Sequence, residues 1–400
     1  MTEPILYIWF QLAVGIANRL THEVLSRFES IVDVYNCEDF SFLGEKREKY
    51  IKRLQNKDTS EAHEIFKRCK ALGVDVTGYY DERFPRTLRK IKIPPAVLYS
   101  IGDFRDLDNV PCVGVVGTRK ITDYGKAVSE HFAYIFAKSG AYVISGLARG
   151  ADVCAHRGAV MADGFTVGVL GNPIGEIYPR ENEKAFETLY QQGLVISELY
   201  PKAPRTRADF PNRNRIIAAL SDAIVITEAG ETSGSLITAQ HAIEQGKPVF
   251  AVPGAIGSEN AGTNRLIKTG IPAATEPYDV LEPLALEYPE KIIIYEPSVT
   301  GKLRSYGNVI KSKPKVVPER EERQNKAEKV LQNTPPEKML SGKTSERILA
   351  VLKNKKPMSA DEISIETKLS VSEIMTELTL MEIDGTVIAS VGNRYTTVKQ

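Results

Sequence analysis

Short runs of apolar, β-branched residues alternate with stretches of helical periodicity through the middle of the chain, and this alternation predicts the architecture. The clearest unit lies between Phe210 and Gly254. There the apolar runs Ala223–Thr227 and Pro248–Val252 bracket Ser235–Gln245, in which Leu236, Ala239 and Ile243 recur at helical spacing. Strand, loop, helix and strand in that order, with strands too hydrophobic to alternate, predict neighbouring parallel strands buried on both faces. Cys112–Val116, Tyr142–Ile144, Thr166–Leu170 and Leu194–Ile196 read as further strands, and Val128, Phe132 and Ile135 as the core face of an intervening helix. The pattern holds to about Leu284 and predicts an α/β fold, a doubly wound parallel Rossmann-like sheet with right-handed crossovers.

The flanks read differently. Residues 1–75 predict a small helical domain, with Leu20, Val24, Leu25 and Phe28 on one face and Ile51, Leu54, Ile65 and Cys69 in later segments. Gly15–Ile16–Ala17, between two helical runs, fits a hairpin that touches a DNA backbone or, more commonly, ordinary helix–helix packing. Residues 76–110, punctuated by Pro85, Pro94 and Pro95, predict an extended connector to a sheet domain over 111–290. The apolar pattern fails over 291–343, where prolines and mixed charges predict a linker. From Thr344 onward, residues 344–400 predict three helices, with Ile348, Leu349 and Leu352 on the first, Ile363–Thr367 in the second, and Val371, Ile374, Leu378 and Met381 on the third. A β-hairpin of Thr386–Ala389 and Arg394–Val398 follows, turning at Gly392–Asn393. That order describes a winged helix-turn-helix. The third helix carries Glu373, Glu377 and Glu382 and no Lys or Arg, which suits a protein contact better than reading a major groove.

Length and composition fit several soluble globular domains: 400 residues, 42% hydrophobic and 26% charged. With 52 basic and 51 acidic side chains, the net charge of +1 rules out a uniformly basic coat, so a nucleic-acid site must be a local patch. Cys37, Cys69, Cys112 and Cys154 form no C-x-x-C pair, which points to a reducing compartment and away from a disulfide framework or zinc site. His22, His63, His131, His156 and His241 also lack metal-ligand spacing. The N-terminal apolar residues are interrupted by Gln11 and Asn18, so a cytoplasmic protein without signal peptide, membrane span or cofactor is expected.

Candidate chemistry collects at the strand ends. Gly117–Arg119, Ser145–Gly150, Gly171–Gly175, Ser197–Glu198 and Gly230–Ser235 all follow predicted strands, and five decorated turns on one sheet edge predict a groove. Gly234 and Ser235 precede a helix whose free N–H groups attract phosphate, although Ser and Thr also serve there as plain caps. Between Arg205 and Arg215, four arginines and Phe210 occupy eleven residues; guanidinium groups grip phosphates and an exposed ring stacks a base, whereas a core Phe among solvated arginines is the alternative. Arg149 and Arg157 can join this patch or pair with Asp152 and Glu130. No G-x-G-x-x-G follows the first strand. Gly342–Lys343–Thr344 is no Walker loop, since Glu337 stands where its first glycine belongs. Ser145, Ser197 and Ser235 lack a nucleophile elbow, and nothing pairs Glu198, Glu228 or Asp152 as acid and base, so no catalytic residue is assigned.

At these residues the sequence resembles the DNA-processing protein A (DprA, or Smf) family. The shared signatures are VGTR at Val116–Arg119 with Tyr124–Gly125, SGLARGAD at Ser145–Asp152 with His156, YPREN at Tyr178–Asn182 and SE at Ser197–Glu198. FPNRNR at Phe210–Arg215, SGSLITA at Ser233–Ala239, VPG at Val252–Gly254 and GTNRLI at Gly262–Ile267 complete the series. Gly171–Asn172–Pro173–Ile174–Gly175 departs from a more glycine-rich turn, and Ile271 stands where alanine is common. The resemblance implies a SAM-like helical N-terminus, a winged-helix end, a homodimer, and a non-enzymatic protein that binds single-stranded DNA and loads a RecA-type recombinase in natural transformation. It implies that Arg119, Arg207, Phe210 and Arg213 hold phosphates and stack a base. Ser145, Gly146, Arg149, Gly150, Asn212, Arg215, Gly234 and Ser235 complete the expected DNA-binding set. The alternative is a nucleotide-processing enzyme of the lysine-decarboxylase-like phosphoribohydrolase type, whose phosphate loop Gly230–Thr238 resembles, though without its P-G-G-x-G-T. A transcription regulator would rest on the C-terminal module alone.

Overall fold

The computed structural model describes residues 2–257, 259–295, 342–353, 358–369, 373–374, 377–378, 381, 386–390 and 394–397. The described residues up to Tyr295 form one compact unit and those from Gly342 a second. In the first, five helices lead into the sheet: α1 (Glu3–Val14), α2 (Leu20–Leu25), α3 (Ile31–Asn36), α4 (Glu48–Gln55) and α5 (Ser60–Ala71). Strand β1 (Asp75–Gly78), helix α6 (Arg86–Arg89) and strand β2 (Val97–Gly102) come next. The alternating region then runs β3 (Cys112–Val116), α7 (Asp123–Lys138), β4 (Tyr142–Ser145), α8 (Ala151–Met161), β5 (Thr166–Leu170), α9 (Glu183–Gln192), β6 (Leu194–Ser197), α10 (Asp209–Leu220), β7 (Ala223–Ile226), α11 (Ser235–Glu244) and β8 (Val249–Ala251), followed by α12 (Ala261–Lys268) and α13 (Tyr278–Glu287).

The eight strands form one sheet in the order β1-β2-β6-β5-β4-β3-β7-β8. From β6 to β8 every pairing is parallel, whereas β2 joins β6 and β1 joins β2 antiparallel. Both faces are covered. Val113, Val115 and Val225 pack with Phe132 and Phe136 of α7 and with Leu281 of α13, while Val116, Ile224 and Ile226 face the opposite core. This two-sided burial explains why these strands read as continuous apolar runs.

The region expected to be a connector is part of the sheet. Its prolines flank elements and do not interrupt them: Pro94 and Pro95 precede β2, whose residues Val97–Ser100 are buried, and Pro85 precedes α6. The N-terminal helices likewise share their core with the sheet. Helix α1 is apolar around its circumference, with Ile5 to Phe10 all buried, and such a helix needs partners on every side. The ring of Tyr7 lies on Gly78, where an added Cβ would come within 2.1 Å of it. Gln11 accepts from the Tyr99 hydroxyl at 2.8 Å and donates to the Glu198 carbonyl at 2.9 Å, tying α1 to β2 and to the end of β6.

The second unit contains helices Gly342–Leu352 and Ala360–Thr367, with Ser359 and Glu362 forming a capping box. Val387–Ser390 and Arg394–Thr397 pair as the expected hairpin, and Met358–Ser359 adds a third strand that the sequence reading lacked. Ile348, Leu352, Ile363, Ile374, Leu378, Met381, Val387 and Tyr395 make its core. Glu373 is exposed, but Glu377 is buried and does not present its charge. Gly392–Asn393, Glu382 and most of the expected linker lie outside the described residues.

Candidate nucleic-acid interface

Strand order reverses at β3, from which the chain winds first through β4, β5 and β6 and then returns to place β7 and β8 on the other side. Loops at the carboxyl ends of strands diverge at such a point and leave a crevice. Here the crevice is a cleft of about 620 Å³. Thr118, Arg119 and Lys120 enter it after β3, Ala148 from the β4–α8 turn and Asp152 from the first turn of α8. Tyr178 comes from the loop after β5, and Ser233, Gly234, Ser235 and Thr238 from the start of α11. Arg207 and the first turns of α10 close the side.

Two backbone approaches build the floor. Thr118 donates its N–H to the Glu228 carbonyl at 2.7 Å, and a Cβ on Gly117 would meet Ala151, Glu228 and Thr227. Gly150, at φ +81°, lets α8 begin beneath this turn, where a Cβ would lie 2.2 Å from the Thr118 carbonyl oxygen. Gly150 therefore packs under the loop and does not face a ligand, contrary to the sequence expectation. Gly234, by contrast, has nothing within 4 Å of a Cβ position, so the α11 N-terminus is open to the cleft. Ser235 is buried, its hydroxyl 2.8 Å from that of Ser233.

Helical spacing sorts the basic run. Phe210, Arg213, Asn214 and Ile217 share the face of α10 that lines the cleft, at intervals of three and four. Phe210 is partly exposed and is not a core residue. Its ring rests on Gly171, with Tyr178 at 5.7 Å between centroids and the Arg119 guanidinium 5.1 Å above it. Arg215, two residues from Arg213, emerges on another side. There it is buried, donates to both Glu198 carboxylate oxygens at 2.8 Å, and also donates to the Ile93 and Asn212 carbonyls. It anchors α10, and its donors are taken up by protein acceptors, unlike the ligand-facing role expected of it. Asn212 is exposed but lines a small hollow with Ile16 and Glu198, outside the cleft. Ser145 is fully buried and donates to the Val115 carbonyl at 2.6 Å, so it too leaves the expected set.

Arg213 lines the cleft from below. Only 6% exposed, it donates to the Gly146 carbonyl at 2.7 Å and to that of Val169, linking the ends of β4 and β5. Burial lowers its pKa to about 10, partly offset by Asp152, and it remains a cation at neutral pH. Burial likewise raises the Asp152 carboxyl, against the pull of Arg213. Beneath them His156 is pushed down to about 3 by burial and then by the Arg213 charge. Its Nδ1 lies 2.7 Å from the Thr166 hydroxyl, which itself donates to the Val143 carbonyl, so His156 is the donor in that pair.

The exposed charges sit at the rim. Arg119, Lys120 and Arg207 line the cleft without an ion pair among the described residues. Arg149 and Gly146 line a smaller adjoining cavity of about 250 Å³; Arg149 is exposed and bonds both Glu181 oxygens, at 2.8 and 2.7 Å. Arg157 pairs with Glu130. Asp152 is the one carboxylate in the cleft lining among the described residues, and Glu228 lies behind it, fully buried, accepting from the Thr122 N–H. Thr118, Lys120, Tyr178, Asn214 and Thr238 also line the cleft and stand outside the expected set. Asn214 had a readable signal, four residues beyond Phe210 on one helix face, whereas Tyr178 is brought in by a loop from a different strand.

The family model for DNA recombination-mediator protein A matches residues 75–285, more than half of the chain. The chain belongs to this family. A model of the DprA winged helix domain matches residues 332–393, in agreement with the second unit. DNA processing protein DprA of Bacillus subtilis is 38% identical over 224 residues, 56% of this chain and 74% of that protein. Protein Smf of Synechocystis is 34% identical over 324 residues, 79% of this chain and 78% of the relative. The structure of DNA processing protein A from Streptococcus pneumoniae superposes with a TM-score of 0.59 at 28% identity, covering 70% of this chain and 98% of the other. No helix among the described residues is long and apolar enough to cross a membrane, and none of their His, Cys, Asp and Glu clusters could hold a metal ion.

Proposed function

We propose that the cleft at the strand-order reversal binds single-stranded DNA, and that the protein shields incoming single strands and delivers them to a RecA-type recombinase during natural transformation, as a cytoplasmic homodimer. The observation that carries this reading is the placement of Phe210. A partly exposed ring shares the cleft with Arg119, Lys120 and Arg207 and with the start of α11, so a base can stack while its phosphates meet cations and the positive end of a helix. In a duplex the bases are already stacked and paired, and the ring would have no face to engage.

Arg119, Arg207, Phe210, Gly234 and Ser235 form the contact set, with Arg149 and Gly146 beside it and Arg213 holding the floor. Binding, not bond breaking, is the task assigned to this cleft. Fluorescence anisotropy with matched single- and double-stranded oligonucleotides over a range of salt tests the reading. Single strands are expected to bind in preference, with affinity falling as salt rises. Phe210→Ala loses about 1–3 kcal/mol of binding at an unchanged salt slope, and Arg119→Ala lowers the slope by about 0.7. Equal affinity for duplex removes the proposal. Release of base or phosphate from nucleotides, abolished in Glu228→Ala, would favour nucleotide processing instead.

A further inference from the structure

Phe210 lies on the boundary of two cavities. The larger cleft and the smaller cavity share Arg119, Lys120, Ala148, Tyr178, Phe210 and Arg213 in their linings, and the aromatic pair supplies the ring surface of this shared partition. Its members are 5.7 Å apart and inclined at 48°, hence their planes diverge and each ring presents a surface of its own. A guanidinium flanks each ring: Arg119 lies 5.1 Å from the Phe210 centroid and Arg205 lies 5.0 Å from that of Tyr178.

Tyr178 and Arg205 are poorly explained by folding. Tyr178 is 43% exposed, and its hydroxyl makes no hydrogen bond among the described residues. Arg205 is half exposed and its nearest carboxylate, Glu176, is 3.9 Å away, a weak surface pair. An exposed ring under a loosely held guanidinium is a stacking platform, because either group can turn to a base while the charge meets a phosphate.

We propose that a single strand crosses this partition, with one base against Phe210 in the larger cleft, the next against Tyr178 toward the smaller cavity, and flanking phosphates on Arg119 and Arg205. The minimal ligand is then two consecutive unpaired nucleotides whose bases are splayed apart by the divergent rings. This rests on the single-strand reading of the cleft and adds Tyr178 and Arg205 to its contact set.

The test uses the full chain and fluorescein-labelled oligothymidylate, with anisotropy titrations at several salt concentrations and a thermal melt of every variant. Tyr178→Phe should bind as the parent does. Tyr178→Leu should weaken binding roughly tenfold or more at an unchanged salt slope. Arg205→Ala should lower the slope by about 0.7. A Tyr178→Leu protein that binds like the parent, while Phe210→Leu is impaired, confines the strand to the larger cleft and overturns the crossing without touching the proposed function. Equal losses in Tyr178→Phe and Tyr178→Leu also overturn it, since stacking would then not be the cause. A parent that binds no single strand removes both. If Tyr178→Leu melts well below the parent, the Tyr178→Phe and Arg205→Ala titrations decide.

Discussion

Arg213 is the residue at which a ligand-gripping role and an architectural role give different numbers. Arg213→Met keeps much of the side-chain reach and removes the charge and every donor. In the folded protein the guanidinium is buried, holds the Gly146 and Val169 carbonyls at the ends of two adjacent strands, and offsets the buried carboxylate of Asp152. A hydrogen bond from a charged donor contributes about 1.5–3 kcal/mol, and removing one partner from a buried charged arrangement costs about 3–5 kcal/mol. The variant is therefore expected to lose about 3–5 kcal/mol of folding stability, within the range reserved for buried polar networks. Urea unfolding followed by tryptophan fluorescence measures it, because Trp9 is the single tryptophan and is buried in α1 within the same unit. Adding Asp152→Asn should recover part of the loss by removing the uncompensated charge. The reasoning is refuted if Arg213→Met unfolds within about 1 kcal/mol of the parent yet binds single strands weakly with a salt slope lowered by about 0.7, the signature of a lost phosphate contact.

Three further outcomes are expected. Arg215→Met should cost about 3–5 kcal/mol of stability by stranding the buried Glu198 carboxylate, with parental affinity per folded molecule, and adding Glu198→Met should restore part of the loss in the same urea experiment. His156 has a folded pKa of about 3 against an ordinary 6.5, so only the unfolded chain takes up its proton between those values. Stability is present above pH 6.5 and falls as pH drops through that window, by about 1.4 kcal/mol per pH unit from this residue, and His156→Gln should flatten the fall seen in chemical melts. Truncation before Gly342 should leave the first unit folded and its single-strand binding largely intact in anisotropy titrations. Loss of binding would make the winged helix the principal reader.

Much of the fold follows from patterns that act over a few residues. The strands from β3 to β8 stand within a residue of their apolar runs, because a strand buried on both faces cannot carry polar residues without losing hydrogen-bond partners. The glycine-rich turns and the winged-helix unit were legible for the same local reason. The sheet edge was not. Pro94 and Pro95 disfavour helix locally, but only the docking of α1 on β1, and of β2 on β6, turns that segment into two further strands. Within the basic run, composition alone could not distinguish Arg207, Arg213 and Arg215, which look alike in sequence. Their fates depend on where each emerges, Arg207 from the loop before α10 and Arg213 and Arg215 from different sides of that helix, and on what lies there. Arg207 meets the open cleft, Arg213 meets two strand-end carbonyls, and Arg215 meets a buried glutamate just beyond β6. A guanidinium goes to the acceptors within its reach, and reach is set by packing among segments distant in sequence. The sequence by itself thus determined that cations and an aromatic ring would gather at this edge, and tertiary structure decided which of them stay free for a ligand.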